Sequence, residues 1–287
     1  MGGGSGVTTF LGAWRVDLFV AVNLALAATC YVWAVRHVNT RHPRARWHWG
    51  PTTSFLTGIA LLTLTYIGPM AAWSHTFFWV HMTQHLVVTM AAAPLLVLGA
   101  PITLAFRASG PRNRRAMVRV LRGRVVRVMT NPIVTWLLFA GVLVGAHFTA
   151  FYNWALTNHG ASTLVEQPMF LAAAVLYYLP LIGTNLLPRR PTHAVRLISL
   201  GLMMIPEALI GAVIYFSPVV LYPAFDVERP FGLAPLPDQQ LSGALMWALV
   251  MVIDAFWMMW VAAEWFASEE RRGRRVSAEI AAEVSSG

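Results

Sequence analysis

Two histidines four residues apart, in the run His81-Met-Thr-Gln-His85, are the residues of this chain best placed to do chemistry. On a helix, positions i and i+4 share a face. Both imidazoles can therefore offer a nitrogen to one transition-metal ion. The same pair can instead serve hydrogen bonds between helices, and spacing alone does not choose. Other donors lie within reach in the sequence: Met82 inside the run, His147, His159 in the segment that follows it, and Glu166 and Met169 in Glu166-Gln-Pro-Met169. Imidazole combined with thioether suits copper better than magnesium or calcium. A second set is acidic. Glu207 follows Pro206, and Asp254 lies in Val252-Ile-Asp254-Ala255, each inside an apolar run. Two such carboxyls can share a proton, relay one or hold a cation, or each can be satisfied by a neighbouring helix.

The elements that position these groups follow from composition. The 287 residues are 57% hydrophobic and 11% charged, against about a quarter charged in soluble domains, which excludes a water-soluble enzyme. A membrane span needs about 20 apolar residues. Seven segments qualify, near residues 16–38, 52–73, 77–100, 131–151, 169–187, 196–221 and 240–266. The expected fold is all-α, a polytopic bundle of seven transmembrane helices.

Every basic side chain is arginine, and the arginines set the orientation. With seven spans, all of them except Arg15 and Arg229 fall on one side, so the N-terminus is expected outside and the C-terminus inside. Because the arginines lie in short connections, an anionic inner leaflet is the expected partner and nucleic acid is not. With Phe77 at the outer surface, His81 lies about 6 Å and His85 about 12 Å deep at 1.5 Å per residue. His147, Glu166 and Met169 belong to the same outer layer, and Glu207 and Asp254 sit about 20 Å down, near the midplane.

Outside the helical domain at 16–266, residues 1–15 read as a flexible outer leader without a basic n-region. The first apolar run is too long for a signal sequence. Residues 267–287 read as a polar inner tail. Within the domain, 101–130 is a basic inner connection whose arginine spacing fits a short surface helix, and 222–240 is a proline-rich outer loop. The single Cys30 can form no internal disulfide. There is no phosphate-cradling glycine loop, no Gly-x-Ser-x-Gly and no Cys-x-x-Cys, which argues against hydrolysis or ATP-driven pumping.

The His81–His85 run followed by Ala93-Pro-Leu-Leu-Val-Leu-Gly-Ala-Pro101 resembles the CtaG family of cytochrome c oxidase (caa-type) assembly proteins. The run Pro235-Leu-Pro-Asp238-Gln239-Gln-Leu-Ser-Gly-Ala-Leu-Met-Trp247 does so too, with weaker matches at Ser109–Arg112, Arg124–Pro132 and Leu187–Arg190. The similarity is collinear from about Trp14 to Arg272. It implies a non-enzymatic protein of the bacterial plasma membrane. Such a protein would help to make an active oxidase by handling copper on the outer side, with oxidase subunits as partners and His81 and His85 as the best carried-over ligands. Relatives tend to carry histidine where this chain has Gln167 and Met169, and often at the position of Glu207. Two other readings stay open: a cation or proton-coupled transporter using Glu207 and Asp254, and a metal-free structural partner of a respiratory complex.

Overall fold

The computed structural model describes residues 6–148, 150–158, 160, 162–187 and 190–286. Among them there is helix and no strand. Six helices are long and apolar enough to cross a membrane: Leu18–Arg41, Trp49–Trp73, Phe78–Ala108, Ser162–Leu181, His193–Phe216 and Pro235–Ala281. The fourth expected span is present as a shorter apolar helix, Pro132–Phe148, of 17 residues.

Proline opens several of these helices, and Pro180 and Pro206 lie inside two others. Its missing N–H and fixed φ suit a first turn. Pro69 opens α4 (Pro69–Trp73), Pro101 opens α7 (Pro101–Ala108) and Pro111 opens α8 (Pro111–Leu121). The preceding short elements are α1 (Gly6–Gly12), α2 (Leu18–Arg41), α3 (Trp49–Tyr66), α5 (Phe78–Leu86) and α6 (Ala93–Leu98). The third span is thus a chain of helices, broken at its inner end by Ala100, whose φ of 48° is left-handed. The first twelve residues are not irregular throughout, because α1 docks on the bundle. Phe10 stacks on Trp73 and Trp79, and its carbonyl accepts from Trp73 Nε1 at 3.2 Å.

The basic inner connection forms α7, α8 and α9 (Arg124–Met129), and neither α8 nor α9 buries a residue. α10 (Pro132–Phe148) and α11 (Ala150–Thr157) follow, then α12 (Gln167–Leu181), α13 (His193–Phe216) and α14 (Pro235–Ser286). The last span and the polar tail are one continuous helix, α14.

α13 and α14 cross at very short range. A Cβ on Gly243 would lie 2.5 Å from Tyr215 N and 2.6 Å from Gly211 O, so only glycine permits this approach. Gly211 is one turn beyond Glu207, and the crossing therefore presses Glu207 against α14. An outer apolar cluster (Phe78, Met82, Met90, Phe170, Ile210, Met246) and an inner one (Tyr177, Tyr178, Met203, Trp257) fill the bundle between α5, α10, α12, α13 and α14. α2 lies outside these clusters, packed on α3 and α7, and much of it remains exposed.

Candidate metal centre

His81 and His85 face one way from α5, as their spacing requires, and their Nε2 atoms are 2.8 Å apart. Glu166 Oε1 lies 3.4 Å from the first and 3.3 Å from the second. Three donor atoms from two elements thus converge. Glu166 is fully buried, His81 is 2% exposed and His85 is half-buried. For bonds of about 2.0 Å at angles of about 90–110°, the edges of a coordination sphere measure about 2.8–3.3 Å. The trio has edges of 2.8, 3.3 and 3.4 Å, close to those of a coordination sphere, so its residues could hold a transition-metal ion.

Both strands of the trio are set by an unusual backbone. A π-helical segment, Val87–Ala92, begins two residues after His85, and a second, Ser162–Glu166, ends on Glu166 itself. Such widened turns are rare, cost stability and are frequent at functional sites. The second turn places Ser162 behind Glu166, and Ser162 Oγ donates to Glu166 Oε2 at 2.8 Å. One carboxylate oxygen is thereby occupied and the other is left to face the histidines. At the first turn, Trp257 Nε1 on α14 donates to the Met90 carbonyl at 3.0 Å and ties the π segment to the bundle.

α5 itself is held from above. Asp238, at the start of α14, accepts from the backbone of Phe78 at 2.8 Å and of Trp79 at 3.1 Å, which caps the otherwise unsatisfied first turn of α5. Arg229 binds Asp238 at 2.6 Å, donates to the carbonyls of Phe225 and Leu233, and lies over the Phe77 ring. Gln239 accepts from Leu221 N at 2.7 Å and donates to Val219 O at 3.0 Å. Asp238 and Gln239 thus act as fasteners of the 222–240 loop, and the Phe78 amide that Asp238 accepts from lies three residues before His81. Gln84 adds a lateral tie, donating to Thr65 O on α3 at 2.7 Å.

The other expected site residues separate into groups. His147, 3% exposed, is not part of the trio; it and Met82 line a cavity next to His85. The Phe170 ring stands between the imidazoles, 4.4 Å from that of His85 and 6.2 Å from that of His147. Tyr222 in the outer loop donates to the His147 carbonyl at 3.2 Å; burial pushes its phenol up to about 12, so it stays a neutral donor at ordinary pH. Met169 is half-buried against the outer apolar cluster. His159 lies outside the described residues. Glu207 and Asp254, 3% and 2% exposed, come within hydrogen-bonding reach of each other across the α13–α14 crossing. A carboxylate only accepts, so that contact requires a proton between them.

Two members escaped the sequence reading. Ser162 was legible in principle, lying one helical turn before Glu166, but a lone serine carries no signal of its own. Arg229 stood out only as an arginine on the wrong side of the membrane, and its use as the partner of Asp238 accounts for it.

A bundle of apolar helices long enough to cross a membrane belongs to the class of multi-pass membrane proteins. The chain is a member of the cytochrome c oxidase caa3 assembly factor family, Caa3_CtaG, whose model matches residues 29–268. It is also similar to an uncharacterized protein of Mycobacterium leprae, at 25% identity over 268 residues. Uncharacterized proteins of Mycobacterium bovis and Mycobacterium tuberculosis match at 27% identity. In each case 88% of this chain aligns, but it spans only 40% of the relative's length. No solved structure matches.

Proposed function

We propose that the chain is a non-enzymatic assembly factor for a cytochrome c oxidase, which holds copper as cargo near the outer face of the bacterial plasma membrane. The carrying observation is the convergence of His81 Nε2, His85 Nε2 and Glu166 Oε1 on one point, with edges that match a coordination sphere. Family membership supports the oxidase as client. In this reading the chain crosses the membrane seven times, with Pro132–Phe148 as the fourth crossing and the arginine-rich connections inside, against anionic lipid.

The residues divide the work. His81 and His85 supply neutral nitrogen, Glu166 supplies negative charge that offsets the cation's burial, and Ser162 fixes the carboxylate's direction. Asp238 and Arg229 keep α5 in register from the outer side. A site of three protein donors leaves a coordination position open, which suits cargo that must be handed on.

Elemental analysis of the detergent-purified chain after copper loading tests this reading. The native protein is expected to retain near-stoichiometric copper in the outer site, and the double variant His81→Ala/Glu166→Gln to lose that equivalent. Equal copper in both proteins would remove the outer site and leave a metal-free scaffold of the oxidase as the better description.

A further inference from the structure

Directly beside the trio lies a small cavity of about 20 Å³, room for one water molecule or one ion. Its wall includes His85, His147, Met82, Met90, Met246 and Glu207, drawn from α5, the π segment, α10, α13 and α14. Three thioethers, two imidazoles and a carboxyl around so small a space are an uncommon lining for the interior of an apolar bundle. Two details give the lining direction. His147 Nδ1 is 2.7 Å from the Leu143 carbonyl, and only a protonated nitrogen can make that bond, so neutral His147 keeps its lone pair on Nε2. Fixing the far ring nitrogen against a backbone carbonyl is the usual support of a metal-ligating histidine. Glu207, 3% exposed, lines the same wall and is backed by Asp254 across the α13–α14 crossing.

We propose that this cavity is a second metal station, distinct from the His81–His85–Glu166 trio and adjoining it at His85, which takes a soft monovalent cation through thioether sulfur and the His147 imidazole. Sulfur and imidazole donors select Cu(I) among biological cations, whereas the trio, with nitrogen and carboxylate only, accepts harder ions. The Glu207–Asp254 pair, with one proton between its carboxyls, keeps the single negative charge that offsets a monovalent cation in the interior. The order of donors from the outer face inward is nitrogen and oxygen first, then nitrogen and sulfur. The arrangement fits a Cu(I) ion that enters by the trio and rests deeper against sulfur, its oxidation state unchanged. The choice of copper rests on the function proposed above, but the cavity and its donor set do not.

Anaerobic Cu(I) loading with a competing chelator, followed by copper counting and X-ray absorption at the copper edge, tests the station. The native chain is expected to hold two Cu(I), with sulfur among the scatterers. The double variant Met82→Leu/Met246→Leu, which preserves wall volume, is expected to hold one and to lose the sulfur contribution. His147→Gln should also lose one equivalent. His81→Ala/Glu166→Gln should keep one, with sulfur scattering intact. A native protein with one Cu(I) and sulfur scattering that survives His81→Ala/Glu166→Gln supports the station and removes the trio. Nitrogen and oxygen scatterers alone, or a copper count unchanged in both the methionine and His147 variants, would overturn the station whatever the fate of the trio.

Discussion

The last helix takes an arginine at two carboxylates, Asp238 in its first turn and Glu264 past its middle, and the two pairs hold different things. Asp238 and Glu264 are 26 residues apart on α14, about 39 Å along the axis. In the first pair, Arg229 and Asp238 are both almost fully buried, and Asp238 also accepts two backbone N–H groups of α5. In the second, Arg196 is buried but Glu264 is 33% exposed, and its carboxylate takes Arg196 at 2.7 Å and Arg190 at 3.4 Å. Arg196 also donates to the Leu181 carbonyl, closing the end of α12 against the start of α13. The Asp238 pair therefore feeds directly into the helix that bears His81 and His85, whereas the Glu264 pair ties the end of α12 and the start of α13 to α14. The same ion-pair chemistry positions a site in one place and fastens a scaffold in the other.

Removing the outer carboxylate should have the largest effect of all. Asp238→Ala leaves a buried Arg229 without its partner and two N–H groups of α5 without an acceptor, a loss of about 3–5 kcal/mol. Thermal unfolding in detergent should show it, together with loss of copper from any molecules that remain folded. Glu264→Gln is expected to cost only about 1–2 kcal/mol, since the remaining amide still accepts one bond and water reaches the site. Its copper content should equal that of the native chain. If Glu264→Gln sheds copper as readily as Asp238→Ala, the distinction between positioning pair and fastening pair fails.

The two pairs also differ in how legible they were. Asp238 and Gln239 stood in a family-like motif, and their part in capping α5 needed the structure, because Asp238 is 160 residues from the Phe78 amide it binds. The helical architecture was readable from apolar run length alone, since a span's length is set by the bilayer. The boundaries were less readable: the fifth run, expected at 169–187, ends as a helix at Leu181, and the sixth, expected at 196–221, ends at Phe216. The fourth run's expected bounds of 131–151 crossed a helix end, and the structure has Pro132–Phe148 followed by the separate α11. His81 with His85 was readable because helical period is fixed, and Glu166 as their partner followed from shared depth. Depth did not separate His147 from the trio, for it says nothing of rotation about a helix axis. Neither π turn had a sequence signature, as a one-residue widening leaves the hydrophobic pattern intact. Glu207 and Asp254 were matched in depth, but their contact depends on the Gly211–Gly243 crossing, which lies outside both motifs.

The sharpest probe of what positioning means here is a substitution whose effect on binding exceeds its effect on stability. Ser162 touches neither histidine; it holds only the far oxygen of Glu166, at 2.8 Å. Ser162→Ala removes one hydroxyl from a buried place, which costs about 1–3 kcal/mol while Glu166 Oε2 stays without a donor. In the absence of metal the carboxylate then has less reason to keep Oε1 toward the histidines. Copper affinity at the trio should fall by about 10–100-fold, the usual penalty for losing an outer support of a metal ligand. The inner station, whose wall does not include Ser162, should keep its ion. Competitive chelator titration of Ser162→Ala against Asp238→Ala separates the two kinds of support. Ser162→Ala should weaken binding in a protein of nearly native melting temperature, and Asp238→Ala should lower both together. Unchanged affinity in Ser162→Ala would mean that the trio's geometry is imposed by the π turn of Ser162–Glu166 alone, with the serine merely satisfying a buried oxygen.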